Sequence, residues 1–458
     1  MLEWTAALKS IRHDSRASGN PLSSVDTRTQ KKNRSIGVLA NMATRLLAFF
    51  AVLLVCSLTV QAQEVDAGSA PPPGSNLGVA LITFGPGEEL WERFGHNAIE
   101  IHDTTTGATR LYNYGMFDFA QENFFLNFAR GHMMYRIAVG DPAEEYPNYV
   151  AEGRWIVRQE LNLAPAQRAQ LAERLDWNAR PENAQYRYDY FRANCSTRVR
   201  DAIDEVLGGA IKAQLISPSR GFTYRMDADR LMRPDTSLML AIDAGLGPYA
   251  DQRLSYWDES FVPMEFMRHV REITLRDTAG NALPLVANET LLNKGHLPEP
   301  QEFPPRWTWG ALILGIASAL ILIGLARARA NTAARIVFAG TASVIALVCG
   351  IGGLVLVGLW TLTDHTSAWR NENLLLLNPL CLLLLPAWLT AFGKRWQPSR
   401  FAKRIAAAVA FCAGLAWFVK ILPGFVQDNW FWIALLLPIQ IALCVAVIYV
   451  APNRRALR

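Results

Sequence analysis

The sequence predicts an exported α+β domain followed by an all-α membrane domain of five transmembrane helices. Apolar residues make up 51% of the 458 positions, and they concentrate in one short run near the start and five long runs after Trp307. Each long run is near the ~20 residues that an α-helix needs to cross a bilayer. Residues 63–306 lie between the first apolar run and the five later ones. They mix short apolar runs bounded by turn residues with stretches of helical periodicity, which is typical of an α+β domain.

The N-terminal apolar run has the features of an export signal. Residues 46–60 follow a basic residue and end before Ala62, where small residues fit a cleavage site. We therefore interpret residues 42–62 as a signal peptide, with an uncleaved N-terminal anchor as the alternative. Residues 1–41, polar and basic without periodicity, are interpreted as a disordered extension or the product of an upstream start codon. The proline-rich stretch 63–77 reads as a linker.

The exported domain, predicted to cover residues 78–306, begins with strand signals. Residues 79–84 form a short apolar run bounded by glycines, which predicts a buried strand. Residues 96–102 and 110–115 flank a polar loop and predict a β-hairpin. Residues 164–177 show a helical pattern.

The first strand of this hairpin carries a candidate base. The two-residue period of a strand places His96, Ala98, Glu100 and His102 on one face. Gly95 directly precedes His96, so another element can approach closely. The pattern favours a histidine at the mouth of a sheet, although an exposed strand histidine making one hydrogen bond fits the same local sequence.

Cys195 is the only cysteine outside the apolar segments. In an oxidising compartment an unpaired thiol is a reactive liability, which indicates that it is retained for its chemistry. Asn194 is a helix-capping residue type, and residues 195–207 read as a helix that ends at Gly208. Cys195 would then lie at a helix N-terminus, which favours thiolate over thiol. The alternative is a buried structural cysteine.

An aromatic-rich stretch at 116–136 allows two interpretations. It predicts a helix and turn that cover the core, or part of an acyl-chain or lipid-facing groove beside the membrane.

The basic loop residues predict the orientation of the membrane domain. Basic residues cluster after the first and third spans and at the C-terminus. The positive-inside rule therefore places the tail 451–458 in the cytoplasm and the exported domain on the opposite side of the membrane. The five predicted spans, within a domain of residues 307–450, are 307–326, 336–360, 374–392, 405–424 and 430–450.

The loop between the second and third spans then faces the exported domain. Its polar residues His365, Asn371 and Asn373 are candidates for holding lipid headgroups or completing the site, or they satisfy helix ends. Lys420 lies near the outer end of its span, where its side chain could snorkel to the interface.

Several function classes lack support in the sequence. The net charge of +5 reflects basic residues at the inner membrane face, which gives no indication of nucleic-acid binding. The seven histidines are dispersed, so no metal site is predicted. Phosphate loops and dinucleotide fingerprints are absent, and no cofactor is expected.

Six segments between residues 78 and 265 carry a family resemblance. They are Leu81-Ile-Thr-Phe-Gly-Pro-Gly, Phe94-Gly-His-Asn-Ala-Ile-Glu, Tyr112-Asn-Tyr-Gly-Met-Phe-Asp-Phe, Gly153-Arg-Trp, Gln159-Glu-Leu-Asn-Leu and Tyr188-Asp-Tyr-Phe-Arg-Ala-Asn-Cys-Ser-Thr-Arg. The sequence resembles the bacterial domain-of-unknown-function family also described as the periplasmic domain of the Bacteroides-type lipoprotein N-acyltransferase. That family is in turn similar to circularly permuted papain-like folds of the NlpC/P60 type.

The resemblance implies roles for particular residues. Cys195 would be the nucleophile, His96 its base and Asn113 the third, orienting residue, with Glu100 and His102 as alternatives for that role. Asn194 beside the nucleophile joins the loop residues as a candidate for substrate binding.

The implied reaction moves an acyl chain from a membrane phospholipid, through a Cys195 thioester, to the N-terminal amine of a lipoprotein or peptide acceptor. Two further hypotheses fit the same chain. One is a cell-wall amidase or peptidase, or a lipid hydrolase, that uses the same Cys/His pair. The other is a non-catalytic membrane assembly or sensor protein.

Overall fold

A seven-stranded antiparallel sheet forms the centre of the N-terminal domain. The computed structural model describes residues 71–117, 121–277 and 279–450, so the predictions for the extension 1–41, the signal peptide 42–62 and the tail 451–458 lie outside the described residues. The strand order is β11-β5-β1-β2-β3-β4-β6. The strands are β1 Leu77–Phe84, β2 His96–Asp103, β3 Thr109–Met116, β4 Met134–Gly140, β5 Ile156–Leu161, β6 Gln185–Arg187, β7 Pro218–Thr223, β8 Arg253–Ser255, β9 Thr274–Arg276, β10 Ala282–Pro284 and β11 Val286–Asn293.

Nine α-helices accompany these strands in the described part of the domain, and further helices follow in the membrane region. In the N-terminal domain they are α1 Phe124–Arg130, α2 Pro142–Ala151, α3 Pro165–Asn178, α4 Cys195–Val206, α5 Ala210–Leu215, α6 Tyr224–Met232, α7 Thr236–Gly245, α8 Tyr256–Glu259 and α9 Pro263–Val270. In the membrane region they are α10 Thr308–Arg327, α11 Thr332–Thr361, α12 Leu385–Thr390, α13 Arg400–Phe418 and α14 Trp430–Val445.

Alternation along the central strands buries both faces of the sheet. Ile99 of β2 joins the larger core, where α3, α4 and α9 cover the sheet. Ala98 faces the opposite side and packs near Tyr146 and Tyr149 of α2. Because α4 covers one face of β2, its first residue is brought to the end of the sheet where β2 begins.

The sequence predicted the β1 strand, the β2–β3 hairpin and the α3 and α4 helices, and the structure confirms all four. A further hairpin near the end of the domain pairs β9 with β10. The sequence analysis missed β11, which pairs with β5 and extends the central sheet at its edge. This strand is exposed at most positions, so it lacks the apolar alternation that marks a buried strand.

The aromatic helix α1 does not cover the core as the first interpretation proposed. None of its residues is buried, and the side chain of Phe125 remains 75% exposed. An exposed apolar helix of this kind leaves the lipid-facing interpretation standing.

Five stretches of the described residues are long and apolar enough to cross a membrane. They match the five predicted spans, with the third running from Glu372 to Thr390. This third span is not a continuous α-helix: 3₁₀ segments at Glu372–Leu375 and Pro379–Leu384 precede α12. Asn378 caps the second of these segments, and the following proline cannot donate a backbone hydrogen bond to continue a helix.

The N-terminal domain is joined to the membrane region by hydrogen bonds from the loop between the second and third spans. The Asn371 amide nitrogen donates to the carbonyl oxygens of Ala244, Gly245 and Leu246 at 2.9, 3.0 and 3.2 Å. These carbonyls close α7 and lack partners inside that helix. The backbone amide of Gly247 also donates to the Ser367 carbonyl at 2.7 Å.

Lys420 does not snorkel, contrary to one interpretation of the sequence. It forms an ion pair with Glu372, and both side chains are buried. Its ammonium group also donates to the Gln427 carbonyl at 2.5 Å, which ties the start of the third span to the loop after the fourth.

Candidate active site

Cys195 is the first residue of α4, where a complete capping arrangement holds the chain. The Asn194 side-chain oxygen accepts from the backbone amide of Thr197 at 2.9 Å, and the Thr197 hydroxyl oxygen accepts from the Asn194 amide at 2.8 Å. The Asn194 amide nitrogen donates to the carbonyls of Tyr190 and Phe261 at 3.0 and 2.8 Å. These bonds engage the side chain of Asn194 inside the protein, so it holds the helix in place of the substrate contact predicted for it.

The head of α4 is fixed against β2 by the residue that follows His96. The Ser196 hydroxyl donates to the side-chain oxygen of Asn97 at 2.8 Å, and the Asn97 amide nitrogen donates to the Thr83 hydroxyl at 2.8 Å. All three side chains are buried. This chain of bonds sets Cys195 beside the start of β2.

The Cys195 thiol is surrounded by amide donors but is also partly buried. Burial raises its pKa. Two weaker influences lower it: hydrogen bonds from the backbone amides of Asn97, Ser196 and Cys195 itself, and the positive charge of Arg154. The prediction of a resting thiolate is therefore wrong, because desolvation outweighs the helix N-terminus. At neutral pH the side chain is a thiol that needs a base.

His96 is held by a relay of polar side chains. Its Nε2 atom lies 3.0 Å from the side-chain oxygen of Asn113. The amide nitrogen of Asn113 faces Glu145, at 3.2 Å from Oε1 and 3.0 Å from Oε2. Since Glu145 accepts from that nitrogen, Asn113 presents its oxygen to His96, and Nε2 carries the proton. Nδ1 is then the unprotonated nitrogen.

The imidazole of His96 is neutral at pH 7. Burial lowers its pKa to about 4, with a smaller opposing effect from the Asn113 hydrogen bond and a further lowering by Arg154. The ring stacks on Phe84, with the centroids 5.9 Å apart. A neutral ring with a free Nδ1 is the form that can accept a proton from a thiol.

Cys195 packs against β3 close to Asn113. Ala98 pairs with Asn113 at the end of the β2–β3 ladder, and Gly115 follows two residues later, where the register of β3 with β4 shifts. Gly115 has a φ of +87°, and a β-carbon on it would lie 3.3 Å from the β-carbon of Cys195. The structure thus gathers Cys195, His96 and Asn113 at one end of the sheet.

The two alternatives for the orienting role lie elsewhere. Glu100 is four residues along β2 and accepts hydrogen bonds from Arg158 at 2.7 Å and from the Tyr146 hydroxyl at 2.6 Å. His102 pairs through Nδ1 with the Thr109 hydroxyl at 2.8 Å. Four residues of extended strand span roughly 13 Å, so neither side chain reaches the His96 ring. Both have structural partners of their own.

Two site residues were missed by sequence reasoning. Glu145 lies in the first turn of α2, far from Asn113 along the chain, and no local signal connects the two. Arg154 is buried, donates through Nε to the Gly85 carbonyl at 2.7 Å, and lies over the ring of Tyr149. It belongs to the Gly153-Arg-Trp segment of the family resemblance, which was the available signal.

The predicted outer-loop residues divide into two groups. Asn371 and Asn373 are buried, and the amide nitrogen of each donates to backbone carbonyls at the end of α7. They satisfy a helix end, as the second interpretation of this loop proposed. His365 is different, because it lines a cavity and stacks on Tyr190, with ring centroids 6.0 Å apart.

This cavity, which we call the junction cavity, has a volume of about 500 Å³ and lies between the N-terminal domain and the outer loop. Its lining includes residues 187–190, 192 and 193 of the segment that leads into α4, and the loop residues Asp364 to Ser367. Cys195 is not among the lining residues, which stop at Ala193, two positions before it. The cavity is adjacent to the thiol without containing it.

Within the described residues, Glu259, Glu265 and His269 form the one group with metal-like spacing, their ligand atoms lying within 4.8 Å of one another. Arginines already occupy the carboxylates: Arg220 contacts Glu259 at 2.5 Å and Glu265 at 3.1 Å, and Arg230 contacts Glu265 at 3.0 Å. The guanidinium groups supply the positive charge that a cation would bring. The cluster is a buried ion-pair network.

Comparison with known proteins agrees with this division of the chain. Residues 73–228 match the family model of the Lnb N-terminal periplasmic domain, and residues 311–452 match that of the Lnb transmembrane domain. No curated protein and no solved structure matches the chain. A periplasmic domain joined to a transmembrane region indicates an inner membrane protein, and both domains point to lipoprotein processing. The two matches, one on each domain, support placing the chain in the Lnb-type lipoprotein family.

Proposed function

We propose that the protein is an acyltransferase that moves an acyl chain from a membrane phospholipid to the N-terminal amine of a lipoprotein through a thioester on Cys195. One observation carries the proposal: Cys195 begins α4 and packs against Gly115 of β3, the strand whose Asn113 holds the His96 ring through a contact of 3.0 Å. Thiol, base and amide donors together are the requirements of acyl transfer by a cysteine.

In the first half-reaction, His96 Nδ1 takes the thiol proton while the Cys195 sulfur attacks the ester carbonyl of the lipid. The new S–C bond makes a tetrahedral oxyanion, and in this proposal the backbone amide of Cys195 at the head of α4 donates to it. Collapse of this intermediate breaks the bond to the glycerol oxygen. His96 returns its proton to that oxygen, and a lysophospholipid leaves.

In the second half-reaction, the amine of the acceptor attacks the thioester. The C–N bond forms and the C–S bond breaks, while the amine proton passes through His96 to the departing sulfur. The products are an N-acylated acceptor and the original thiol. Arg154, buried nearby, stabilises negative charge on the sulfur at both stages, because its charge lowers the Cys195 pKa.

Burial of the thiol supports transfer over hydrolysis. Cys195 and His96 are partly buried, and the pKa values of both are shifted mainly by desolvation. A site that restricts water protects a thioester until a positioned amine arrives. The covalent connection to five potential membrane spans also supports a lipid donor over a soluble cell-wall substrate.

The chain order supports the papain-like assignment within this proposal. The histidine strand β2 precedes the cysteine helix α4, as in the circularly permuted NlpC/P60-like folds. We also keep the cytoplasmic placement of the C-terminus as part of the proposal, since it follows from the basic residues that flank the spans.

The test is a transfer assay with the full-length protein in phospholipid nanodiscs and a synthetic diacylated lipopeptide that begins with cysteine. Mass spectrometry of the peptide should show one added acyl chain with the wild type and none with Cys195→Ala. Cys195→Ser serves as a near-isosteric control for packing. Release of free fatty acid in place of the acylated peptide would identify a lipid hydrolase. Equal acylation by Cys195→Ala would contradict the proposal.

A further inference from the structure

The junction cavity carries charged groups of both signs. Arg187 contacts the Asp364 carboxylate at 2.8 Å, and Arg192 contacts the Asp189 carboxylate at 2.9 Å. Each of these side chains keeps between 31% and 52% of its surface exposed, so the pairs face solvent. Among the described residues, the Nη1 atom of each arginine makes no hydrogen bond.

The cavity also lies beside the end of a potential membrane span. Its loop wall follows directly after α11, whose outer end leaves Trp360 44% and Leu362 78% exposed. The helix α1 is bound to the same loop, because the Asp364 amide donates to the Arg130 carbonyl at 2.8 Å and the His365 ring lies 2.9 Å from the Phe128 carbonyl. Exposed apolar side chains of α1 therefore sit beside the cavity and close to the end of a membrane span.

A short loop separates the cavity from the nucleophile. Asp189 and Ala193 pair through two backbone hydrogen bonds of 3.2 and 3.1 Å, and Cys195 follows two residues later. Tyr188 and Tyr190 form an aromatic wall on the cavity side. A molecule whose polar end filled the cavity would have its next atoms close to the head of α4.

We propose that the junction cavity binds the headgroup of a zwitterionic phospholipid, a phosphate joined to a primary ammonium, with the acyl chains lying against α1. The phosphate would take the free guanidinium donors of Arg187 and Arg192. The ammonium would meet the Asp364 carboxylate, whose side chain is 46% exposed, and the faces of the tyrosines. This inference rests on the proposed acyl transfer for the identity of that lipid as donor.

Charge balance favours this headgroup class over an anionic one. Two arginines and two aspartates leave the ionised groups of the wall neutral, and Arg187, followed by His132, holds the pKa of Asp364 below its usual value. Asp364 thus stays ionised at neutral pH. An anionic headgroup would meet these carboxylates without an ammonium to offset them.

The test uses lipid binding alone, in a Cys195→Ala background, so that it is independent of acyl chemistry. Full-length protein is released from nanodiscs that contain equal amounts of dioleoyl phosphatidylethanolamine and dioleoyl phosphatidylglycerol, and native mass spectrometry counts the retained lipids. We expect preferential retention of the ethanolamine lipid. Arg187→Gln should lower it about tenfold, and Arg187→Lys should restore part of it, since charge returns without the forked geometry.

Arg110→Gln is the matched control. Arg110 forms a comparable exposed pair with Asp176, at 3.1 Å and with 59% and 51% of the two side chains exposed, but it lies on β3 away from the cavity. This variant should retain lipid like the parent. Thermal melts of all variants check that the domains still fold and dock.

Three outcomes would overturn the inference. Retention that is the same in Arg187→Gln and Arg110→Gln would place the lipid elsewhere. Equal retention of both lipids would contradict the zwitterionic assignment. Displacement of the ethanolamine lipid by millimolar inorganic phosphate would show that the cavity recognises free phosphate. None of these results depends on whether Cys195 forms a thioester, which the transfer assay measures separately.

Discussion

The side-chain nitrogen of Asn113 lies 3.0 Å from the Oε2 atom of Glu145, and this contact turns the Asn113 oxygen toward His96. The orientation matters because an asparagine offers a donor on one side and an acceptor on the other. With the acceptor facing His96, the ring proton is held on Nε2 and Nδ1 is left as a base. In the proposed mechanism, Glu145 would act on the thiol through Asn113 and His96.

Removal of Glu145 should therefore slow acylation without weakening substrate binding. In Glu145→Ala the Asn113 amide is free to rotate and donate to His96, which favours the wrong tautomer. We expect kcat for transfer to fall about tenfold with KM nearly unchanged, as for other partners that orient a reacting group. Asn113→Ala should have an effect at least as large.

The double variant distinguishes a relay from general damage. If Glu145 acts through Asn113, the loss in Asn113→Ala/Glu145→Ala should not exceed that in Asn113→Ala alone. Effects that multiply would show that the two residues act independently. Glu145→Gln, which keeps one acceptor oxygen, should recover part of the rate.

Gly115 is expected to control the position of the thiol. Gly115→Ala introduces a β-carbon 3.3 Å from that of Cys195, at a backbone φ of +87°. Gly107→Ala provides the control, because Gly107 has a φ of +74° but no neighbouring atom within 4 Å. Both changes should cost about 1 kcal/mol of stability through backbone strain, and only Gly115→Ala should reduce Cys195 acylation. Similar acylation rates in the two variants would rule out close packing of Gly115 against the nucleophile.

The pH profile should report the lowered pKa of His96. A histidine with its ordinary pKa loses its base form below pH 6.5, whereas burial lowers the pKa of His96 to about 4. The neutral base thus persists as the pH falls to 5 and is lost only near pH 4. We expect the single-turnover rate of Cys195 acylation to show no acid limb above about pH 5. A limb near pH 6.5 would contradict the buried, neutral state of the ring.

Alkylation should report the state of the thiol in the same pH range. Burial raises the Cys195 pKa above its usual value, so the thiolate fraction at pH 7 is small and rises only on the alkaline side. Iodoacetamide labelling of Cys195, followed by peptide mass spectrometry, should be slow at pH 7 and increase steadily above pH 9. A rate that is already at its plateau at pH 7 would indicate a resting thiolate.

Docking of the two domains should depend on Asn371. Asn371→Ala removes one donor from three carbonyls at the end of α7. Ala244 and Leu246 keep other side-chain donors, so among the described residues the Gly245 carbonyl is the acceptor that loses its side-chain partner. We expect faster tryptic cleavage at Lys294 or Arg306, between the domains, and slower use of phospholipid in nanodiscs. Asn331→Ala, which removes a helix cap at the other end of α11, is the control and should leave both unchanged. Unchanged cleavage in Asn371→Ala would show that other contacts are enough to hold the two domains together.

Much of the fold was predictable because its signals are local. The hairpin that carries His96, the helix that begins at Cys195 and the spans after Trp307 each follow from periodicity, caps and run length within a short window. The edge strand β11 and the broken third span were missed, since exposed strands and 3₁₀ segments have no comparable pattern.

The site was predictable to a smaller extent. His96, Cys195 and Asn113 were named from motifs, but Glu145 and the buried Arg154 reach the site only through tertiary packing. The resting thiolate was wrong because a helix N-terminus can be recognised in the sequence whereas desolvation cannot. The sequence left Asn371 and Asn373 between a lipid site and a helix end, and in the structure both donate to carbonyls at the end of α7.

The central claim is that Cys195 carries the acyl chain. Intact mass spectrometry of the full-length protein, after incubation with phospholipid and without acceptor, should show one acyl adduct on Cys195 in the wild type. His96→Ala should show little or none, and addition of a diacylated lipopeptide should clear the wild-type adduct. Two results would contradict the account. One is an adduct that forms equally without His96, and the other is the absence of any adduct while the lipopeptide is still acylated.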